Sequence, residues 1–226
     1  MSLPRRPIVI IPARLDSTRL PGKPLADIHG MPMIAHVWRR AVEADIGPVI
    51  VAAGEAAVVD AIQAAGGDAV LTDPAHPSGS DRIHEALLRR DPDGRHDAVI
   101  NVQGDLPTIG RDDIHAVFAP LCDDAVDIAT LGIEIDTVAD RDDPNVVKAV
   151  VAIADQARIR LALYFTRAPA PCGEGPHHHH IGLYAYRRPA LDCFVALPPS
   201  SLELRIKRVP LRPQEARIRI CTALAD

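Results

Sequence analysis

Short apolar runs alternate with amphipathic stretches along the first half of the chain. The runs are bounded by polar residues, Gly or Pro, as buried strands are, and they cover Ile8–Ile11, Val49–Ala53, Ala69–Leu71 and Ala98–Val102. Between them, apolar residues recur with a helical period over Met33–Asp45, Ala56–Ala65 and about Asp81–Arg90. Strands that alternate with helices predict an α/β fold with a mostly parallel, doubly wound, Rossmann-like sheet.

The second half has a different pattern. Loosely alternating or apolar runs with few helices between them predict strands over Asp127–Ile135, Asp143–Ile153, Leu161–Phe165 and Ile181–Tyr186. They indicate an inserted small layer of mixed or antiparallel strands. We therefore predict a single domain over 1–226, made of an α/β part over 1–126, a strand-rich part over 127–200 and a C-terminal part over 201–226. Because proline costs about 3 kcal/mol inside a helix, Pro210 and Pro213 predict that the helix beginning near Ser201 is short.

Composition narrows the class of ligand. The chain has 226 residues, 47 % hydrophobic and 24 % charged, and a net charge of −5, so no overall positive field attracts a nucleic-acid polymer or an anionic membrane. No apolar run approaches the ~20 residues that span a bilayer, and no signal-peptide region precedes the first strand. The four cysteines lack a Cys-x-x-Cys spacing, which is typical of reduced thiols. We expect a cytoplasmic protein with a small ligand.

The polar segment that follows the first strand is suited to phosphate. Arg14, Arg19 and Lys23 supply three positive charges, and Ser17 and Thr18 supply hydroxyl donors. The segment lies at the carboxyl end of a strand, where open α/β sheets bind ligands. It matches neither the P-loop nor the dinucleotide fingerprint, and a solvated basic loop is the alternative interpretation.

Two further segments follow predicted strands. His76–Arg82 contains a helix N-cap signal, Ser78-Gly79-Ser80-Asp81, whose plain interpretation is a capped turn. Gln103-Gly104-Asp105 places a carboxylate next to a glycine, and a carboxylate together with phosphate oxygens is a usual Mg²⁺ environment. Asp105 is the predicted metal ligand; the alternative is a turn aspartate that caps the helix near Arg111.

These segments carry a family resemblance. Pro12-Ala13-Arg14 with Ser17–Leu25 resembles the amino-terminal signature of the 3-deoxy-manno-octulosonate cytidylyltransferases, the CMP-Kdo synthetases. His76–Arg82 resembles the family's nucleotide-contacting His-x-Ser-Gly segment, and Asn101–Pro107 resembles its Asn-Val-Gln-Gly-Asp-Glu-Pro, with Leu106 where Glu is common. The resemblance implies a fold of the nucleotide-diphospho-sugar transferase type. It also implies catalytic roles for Arg14, Lys23 and Asp105, and nucleotide-binding roles for Pro12, Ala13, Arg14, Ser17, Thr18, Arg19, Lys23, Ser78, Gly79, Arg82, Gln103 and Gly104.

The second half continues the resemblance. Asn145–Lys148, Tyr164–Ala168, His180–Tyr186 and Pro198–Glu203 match family segments. They imply a sugar-binding set of Arg167, His180, Tyr184, Tyr186 and Glu203. Arg167 would pair with a sugar carboxylate in bidentate fashion, and an ordinary surface arginine is the alternative. Of the four adjacent histidines, His177 and His178 are expected to be solvated loop residues.

The activity that the resemblance implies is synthesis of CMP-Kdo and pyrophosphate from CTP and the eight-carbon acidic sugar 3-deoxy-manno-octulosonate (Kdo), for lipopolysaccharide biosynthesis. It also implies Mg²⁺ as cofactor and a homodimer formed through the strand layer. On this resemblance, 1–126 is the nucleotide-binding half, 127–200 holds the sugar-binding and dimerisation strands, and 201–226 is a truncated C-terminal part. No match to the family's segment with a second metal-binding aspartate, Gly-x-Asp-Thr-Pro-Glu-Asp-Leu, precedes Asp226. Two alternatives stay open: a cytidylyltransferase for another acidic sugar, and a CTP-binding module without turnover.

Overall fold

The computed structural model describes residues 3–16, 21–152, 157–206 and 211–225. They divide into two compact units. One is Pro4–His115, the amino-terminal unit, and the other is formed mainly by Ala116–Asp226, the carboxy-terminal unit. The predicted boundaries at residues 126 and 200 stay predictions.

The amino-terminal unit contains the predicted parallel strands. Its strand order is β5-β4-β1-β6, and every pairing among these four strands is parallel, with Ile10 of β1 beside Ile50 of β4 and Asn101 of β6. The elements in chain order are β1 (Pro7–Ala13), β2 (Asp27–Ile28), β3 (Met31–Pro32), α1 (Met33–Glu43), β4 (Val49–Ala53), α2 (Ala56–Ala64), β5 (Asp68–Leu71), α3 (Gly79–Arg90), β6 (Ala98–Val102) and α4 (Arg111–Phe118). A 3-10 turn, Lys23–Leu25, precedes β2.

Burial explains why these strands were readable from the sequence. Val9, Ile10 and Ile11 are all fully buried, because a central parallel strand is covered on both faces and so requires a continuous apolar run. Helix α1 places Ile34, Val37 and other apolar residues in the core at helical spacing. The core of this unit therefore lies around β1.

The carboxy-terminal unit is built differently. Its elements are β7 (Ile128–Glu134), α5 (Val138–Asp142), β8 (Lys148–Val151), β9 (Ile159–Thr166), β10 (His178–Arg187), α6 (Arg188–Ala196), α7 (Ser201–Ile206), α8 (Leu211–Glu215) and β11 (Ile220–Ala225). The strand order is β10-β7-β11-β9-β8. Strands β7 and β11 pair in parallel and the other neighbours are antiparallel. Strand pairing is therefore mixed, and a mostly parallel sheet describes the amino-terminal unit alone.

Two local predictions in this unit are wrong and a third is confirmed. The strand expected from Asp143 begins at Lys148, because Asn145 donates its backbone amide to Asp143 Oδ1 at 2.7 Å and forms a turn first. Strand β10 begins at His178, which pairs with Glu134 of β7 and is buried rather than solvated. The helix that begins at Ser201 is short, as predicted, because α7 covers only Ser201–Ile206. Pro213 lies inside the first turn of the next helix, α8, where a missing amide hydrogen is tolerated. Pro210 lies outside the described residues.

Two chain-level observations complete the description. Cys122, Cys172, Cys193 and Cys221 are unpaired. Across the described ranges, no helix is both long and apolar enough to cross a membrane.

Candidate active site

The order of the parallel strands singles out one edge of the amino-terminal unit. The chain runs from β1 outward to β4 and β5, and then returns to β6 on the other side of β1. The strand order thus reverses between β1 and β6. In open α/β sheets, ligands bind in the crevice at the carboxyl ends of the strands beside such a reversal.

A cavity of about 390 Å³ lies at this place. This volume falls in the range of small-molecule sites. Its walls come from the end of β1, the 3-10 turn, the segment that enters α3 and the loop after β6. The lining residues are Pro12, Ala13, Arg14, Asp16, Lys23, Pro24, Met33, His76, Ser78, Gly79, Arg82, Gln103, Gly104 and Asp105.

The cavity brings together most of the residues that the sequence nominated for the nucleotide. These are Pro12, Ala13, Arg14, Lys23, Ser78, Gly79, Arg82, Gln103, Gly104 and Asp105. Ser17, Thr18 and Arg19 lie outside the described residues. Sequence reasoning missed Asp16, Pro24, Met33 and His76, although Pro24 belongs to the signature segment, Asp16 lies between its two parts, and His76 precedes Ser78 by two positions. The binding roles themselves stay predictions.

Gly104 allows the loop after β6 to approach the end of β1. A Cβ atom at this position would lie 2.6 Å from the carbonyl oxygen of Pro12 and 3.2 Å from the side chain of Ile34. Real Cβ atoms do not approach a backbone oxygen so closely, so a larger residue would push the two loops apart. The glycine therefore sets the spacing between Pro12 and Asp105.

Asp105 lies opposite a lysine. Lys23 Nζ donates to Asp105 Oδ2 at 3.0 Å, and both side chains are partly exposed. Asp16 also lines the cavity, so carboxylate oxygens are available there for a hard cation. Within the described ranges, no group of three or more His, Cys, Asp or Glu side chains is arranged to hold a metal ion. A cation bound here would need phosphate oxygens of a ligand to complete its coordination, and this environment fits Mg²⁺.

Arg82 is a buried cation in the cavity wall. Its side chain donates to Thr72 Oγ1 at 2.6 Å and to the carbonyl oxygen of Pro74 at 3.3 Å. Burial lowers the pKa of Arg82, the Glu55 charge opposes this shift, and the Arg14 charge adds to it. A guanidinium keeps its proton regardless, so Arg82 presents a poorly solvated positive charge to any anion in the cavity.

Ser78 caps α3 while it lines the cavity. Its hydroxyl oxygen accepts from the Asp81 amide at 3.3 Å and lies 2.5 Å from the Asp81 carboxylate. The capped turn and the cavity residue, which the sequence offered as competing interpretations, thus describe the same serine. Its side chain orients the amino end of α3, where backbone amides and the helix dipole favour anions.

His76 is held by a carboxylate. Its Nε2 lies 2.5 Å from Glu85 Oε2, and Glu85 also accepts the Asp73 amide at 2.9 Å. Burial raises the pKa of Glu85, but these two hydrogen bonds and the Arg89 charge more than offset it, so the Glu85 pKa lies below its ordinary value. The carboxylate therefore stays ionised and fixes the orientation of the His76 ring in the cavity wall.

In the carboxy-terminal unit, three of the sugar-binding candidates form a row of rings. The His180 ring packs between Phe165 and Tyr184, with centroids 4.7 and 5.5 Å away. Tyr184 and Tyr186 follow at 5.9 Å, and Tyr186 stacks on Phe194 at 6.3 Å. His180 Nε2 also lies 2.9 Å from the hydroxyl of Thr130. His180 and Tyr186 are buried, whereas Tyr184 is half-buried.

The remaining two candidates have protein partners. Both Glu203 oxygens accept from Arg212 at 2.7 Å in a buried bidentate pair. Arg212 also lies over the Phe194 ring, 5.1 Å from its centroid. Arg167 donates to the carbonyl oxygen of Pro144 at 2.8 Å. The sugar-binding roles of all five candidates stay predictions.

Comparison with solved structures defines the class of protein first. A nucleotidyl transferase from Methanothermobacter shares 14 % identity and a TM-score of 0.58 over 98 % of this chain and 88 % of that one, which shows the fold alone. A solved structure of CMP:2-keto-3-deoxy-manno-octonic acid synthetase complexed with CTP is far more similar, with 38 % identity and a TM-score of 0.88 over 98 % and 90 % of the two chains. The fold is that of a nucleotidyl transferase.

The sequence comparisons narrow the class. The cytidylyltransferase family model matches residues 8–218. The 3-deoxy-manno-octulosonate cytidylyltransferase of Rhodospirillum centenum is 66 % identical over 99 % of this chain and 87 % of its own length. That of Paramagnetospirillum magneticum is 60 % identical over 97 % and 89 %. The chain belongs to the cytidylyltransferase family, in its 3-deoxy-manno-octulosonate group, and the predicted resemblance is confirmed.

Proposed function

We propose that the chain activates Kdo with CTP, giving CMP-Kdo and pyrophosphate. The observation that carries the proposal is the cavity at the strand reversal, where Arg14, Lys23, Arg82 and Asp105 meet. Three cationic side chains suit a triphosphate. The relatives named above carry this activity in their names, and the similar solved structure holds CTP.

The reaction is an in-line nucleotidyl transfer. The anomeric hydroxyl oxygen of Kdo bonds to the α-phosphorus of CTP, the bond from that phosphorus to the bridging oxygen breaks, pyrophosphate leaves with the electron pair, and the hydroxyl proton passes to solvent. Such reactions are accelerated mainly by positioning and by electrostatic stabilisation. Arg14 and Lys23 hold the phosphoryl oxygens, and buried Arg82 adds charge that water screens weakly.

Asp105 is the residue that we propose to hold Mg²⁺, together with oxygens of the triphosphate. A bound divalent cation there supplies charge neutralisation on the phosphoryl oxygens. Lys23, now 3.0 Å from Asp105, is then free to turn its ammonium toward the phosphates. Asp105 thus orients Lys23 before the nucleotide binds.

Acceptor recognition is assigned to Arg167, His180, Tyr184, Tyr186 and Glu203. A guanidinium suits the Kdo carboxylate, and the ring row of Tyr184 and Tyr186 offers hydroxyl groups beside an apolar surface. The half-buried Tyr184 is the member whose hydroxyl is best able to reach a sugar.

We also propose features beyond the reaction. By the right-handed crossover rule, α1 and α2 lie on one face of the parallel strands and α3 on the other, which is a doubly wound arrangement.

A homodimer through the carboxy-terminal strands is supported by Ile159 and Leu163 of β9, which are 40 % and 55 % exposed. A cytoplasmic enzyme that supplies CMP-Kdo for lipopolysaccharide synthesis is in keeping with four unpaired cysteines.

The first experiment measures pyrophosphate release by the 226-residue chain with CTP, Mg²⁺ and Kdo, beside a blank without sugar. The test variant is Asp105→Ala, and the matched control is Asp112→Ala, an exposed aspartate in the first turn of α4. We expect release to require Kdo, to fall by about 100-fold or more in D105A, as loss of a group that stabilises transition-state charge does, and to persist in D112A.

Three outcomes would redirect the proposal. CTP binding by calorimetry without pyrophosphate release would favour a binding module without turnover. Release that depends on a different acidic sugar in a substrate panel would replace Kdo as the acceptor. Equal turnover by D105A and the wild-type chain would remove Asp105 from the site.

A further inference from the structure

Glu55 occupies the N-cap position of α2 without capping that helix. Its backbone is extended, and its side chain makes no hydrogen bond to the first turn. N-cap positions favour Ser, Thr, Asp or Asn, whose short side chains reach the first-turn amides. The Glu55 carboxylate instead accepts the backbone amide of Leu15, 40 residues earlier, at 2.9 Å. The side chain therefore stabilises the loop after β1 rather than its own helix.

Gly54 and Glu55 together hold the two chain neighbours of Arg14, which are Ala13 and Leu15. The amide of Gly54 donates to the carbonyl oxygen of Ala13 at 2.9 Å, while Glu55 accepts from Leu15. Leu15 in turn accepts the Gly22 amide at 3.0 Å through its carbonyl oxygen. Arg14 thus lies between two anchored residues. The hydrogen bond from Gly22 to Leu15 also links the Arg14 segment to the residue that precedes Lys23.

Gly54 and Glu55 also act on the second arginine of the cavity. A Cβ atom at position 54 would lie 3.0 Å from Arg82 Nη1 and 3.3 Å from its Cζ, so the guanidinium packs against the bare backbone of Gly54. The Glu55 charge favours the protonated Arg82 against the cost of burial. The short connection between β4 and α2 therefore contacts both Arg82 and the segment that carries Arg14.

We infer that Glu55 is a positioning residue of the nucleotide site: its carboxylate fixes Leu15, and with it the Arg14 segment, and it balances the charge of Arg82. The inference rests on the proposed function only for the identity of the ligand, CTP. It predicts that the residue is needed for triphosphate affinity, although its carboxylate acts through Leu15 and Arg82 rather than on the ligand.

The test compares three variants of the full chain. Glu55→Ser removes the acceptor for Leu15 but supplies a good cap for α2, so a role confined to helix stability predicts no loss. Glu55→Gln keeps an oxygen that can accept the Leu15 amide and removes only the charge. The matched control is Glu43→Ser, which loses an exposed i,i+3 pair with Arg40. Each is measured for CTP affinity by calorimetry, for melting temperature and for hydrogen exchange of the Leu15 amide by NMR.

We expect E55S to bind CTP roughly tenfold more weakly, the effect of losing one hydrogen bond to a charged group, with an unchanged or higher melting temperature. Its Leu15 amide should exchange faster than in the wild-type chain. E55Q should keep slow exchange and bind within about threefold of the wild-type chain, since a neutral acceptor retains part of the interaction. E43S should match the wild-type chain in all three measurements.

The inference is overturned if E55S binds CTP as tightly as the wild-type chain, or if E55S loses affinity while Leu15 exchange is unchanged. If E55Q loses as much affinity as E55S while its Leu15 exchange stays slow, the charge beside Arg82 carries the whole effect, and the role assigned to the Leu15 hydrogen bond is overturned. Absence of pyrophosphate release from the wild-type chain with Kdo would count against the proposed function alone, because CTP affinity and Leu15 exchange would still decide the role of Glu55. A wild-type chain that does not bind CTP would overturn both.

Discussion

The two units use charged side chains in opposite ways. In the amino-terminal unit, the Lys23–Asp105 pair has side chains that are 35 % and 50 % exposed, at the wall of a cavity. In the carboxy-terminal unit, the Arg212–Glu203 pair is 7 % and 11 % exposed, and both carboxylate oxygens are bonded. An exposed pair can exchange its partner for a ligand at little cost, whereas a buried pair cannot. Lys23 and Asp105 are therefore free to bind a ligand, whereas the Glu203 carboxylate is already occupied by Arg212.

The difference has a structural origin. Parallel strands end at a common edge, and loops such as those after β1 and β6 place polar groups there without disturbing the core. Four of the five candidates of the carboxy-terminal unit lie instead on β10 and on the short helix α7, and Arg167 directly follows β9. Neighbouring elements supply partners there. Thr130 for His180 and Arg212 for Glu203 are examples.

The largest expected effect is on the buried pair. Arg212→Met leaves the Glu203 carboxylate buried without its partner, and we expect the free energy of unfolding to fall by about 3–5 kcal/mol, as it does when one member of a buried ion pair is removed. Urea unfolding followed by circular dichroism measures this change. The matched control, Arg205→Met, removes an exposed arginine at the end of α7 and should change the free energy of unfolding by less than about 0.5 kcal/mol.

A double variant sharpens the interpretation. Glu203→Leu with Arg212→Met replaces both charges by apolar groups and should recover most of the lost stability. If Arg212→Met alone costs less than about 1 kcal/mol, the magnitude of an exposed pair, the contrast between the two units does not hold in solution.

A second prediction concerns the exposed pair. Lys23→Met should change the free energy of unfolding by no more than about 1 kcal/mol, because exposed ion pairs contribute little. Its CTP affinity should fall about tenfold or more, since an ammonium that binds phosphate is lost. Calorimetry and thermal unfolding measure the two quantities on one sample. Arg39→Met, on the exposed side of α1, serves as the control and should bind CTP normally. A large loss of stability in Lys23→Met would show that the Lys23–Asp105 pair, like the Arg212–Glu203 pair, stabilises the fold.

The smallest expected effect is a pH dependence in the carboxy-terminal unit. Burial lowers the pKa of His178 below its ordinary value of 6.5, and the Arg160 charge acts in the same direction. The unfolded chain therefore binds a proton at a higher pH than the folded chain, so this contribution to stability is complete above pH 6.5 and is lost as the pH falls through the folded-state pKa. Urea unfolding across pH 5 to 8 should give a flatter profile for His178→Gln than for the wild-type chain.

The control for this experiment is His29→Gln, an exposed residue in the turn between β2 and β3. We expect its pH profile to follow that of the wild-type chain. Because burial also lowers the pKa of His179, some pH dependence should persist in His178→Gln. Identical profiles for His178→Gln and the wild-type chain would show that His178 is not a buried neutral group.

The predictions from sequence succeeded where local pattern and structure coincide. Strands β1, β4 and β6 are buried on both faces, so each required a largely apolar run of its own length. The edge strand β5 buries only Ala69 and Val70, which still form a short apolar run with Leu71. The N-cap at Ser78 could be predicted because its partner, the Asp81 amide, lies only three residues further along the chain. The start of β8 was misread because the Asn145 amide bonds to Asp143 and forms a turn first. Strand β11 was missed because it is held by β7, and the neighbouring Arg219–Asp127 hydrogen bond spans 92 residues.

The sequence by itself determined the parallel strands, the family and most of the residues that line the cavity, because each depends on neighbours a few positions apart in a continuous motif. Only the tertiary structure decided which of those residues meet and which already have partners. The decisive contacts join segments that are 40 to 92 residues apart. They are Gly104 with Pro12, Lys23 with Asp105, and Glu55 with Leu15. No local pattern specifies such contacts, since they arise when parallel strands bring their carboxyl ends to one edge and distant loops become neighbours.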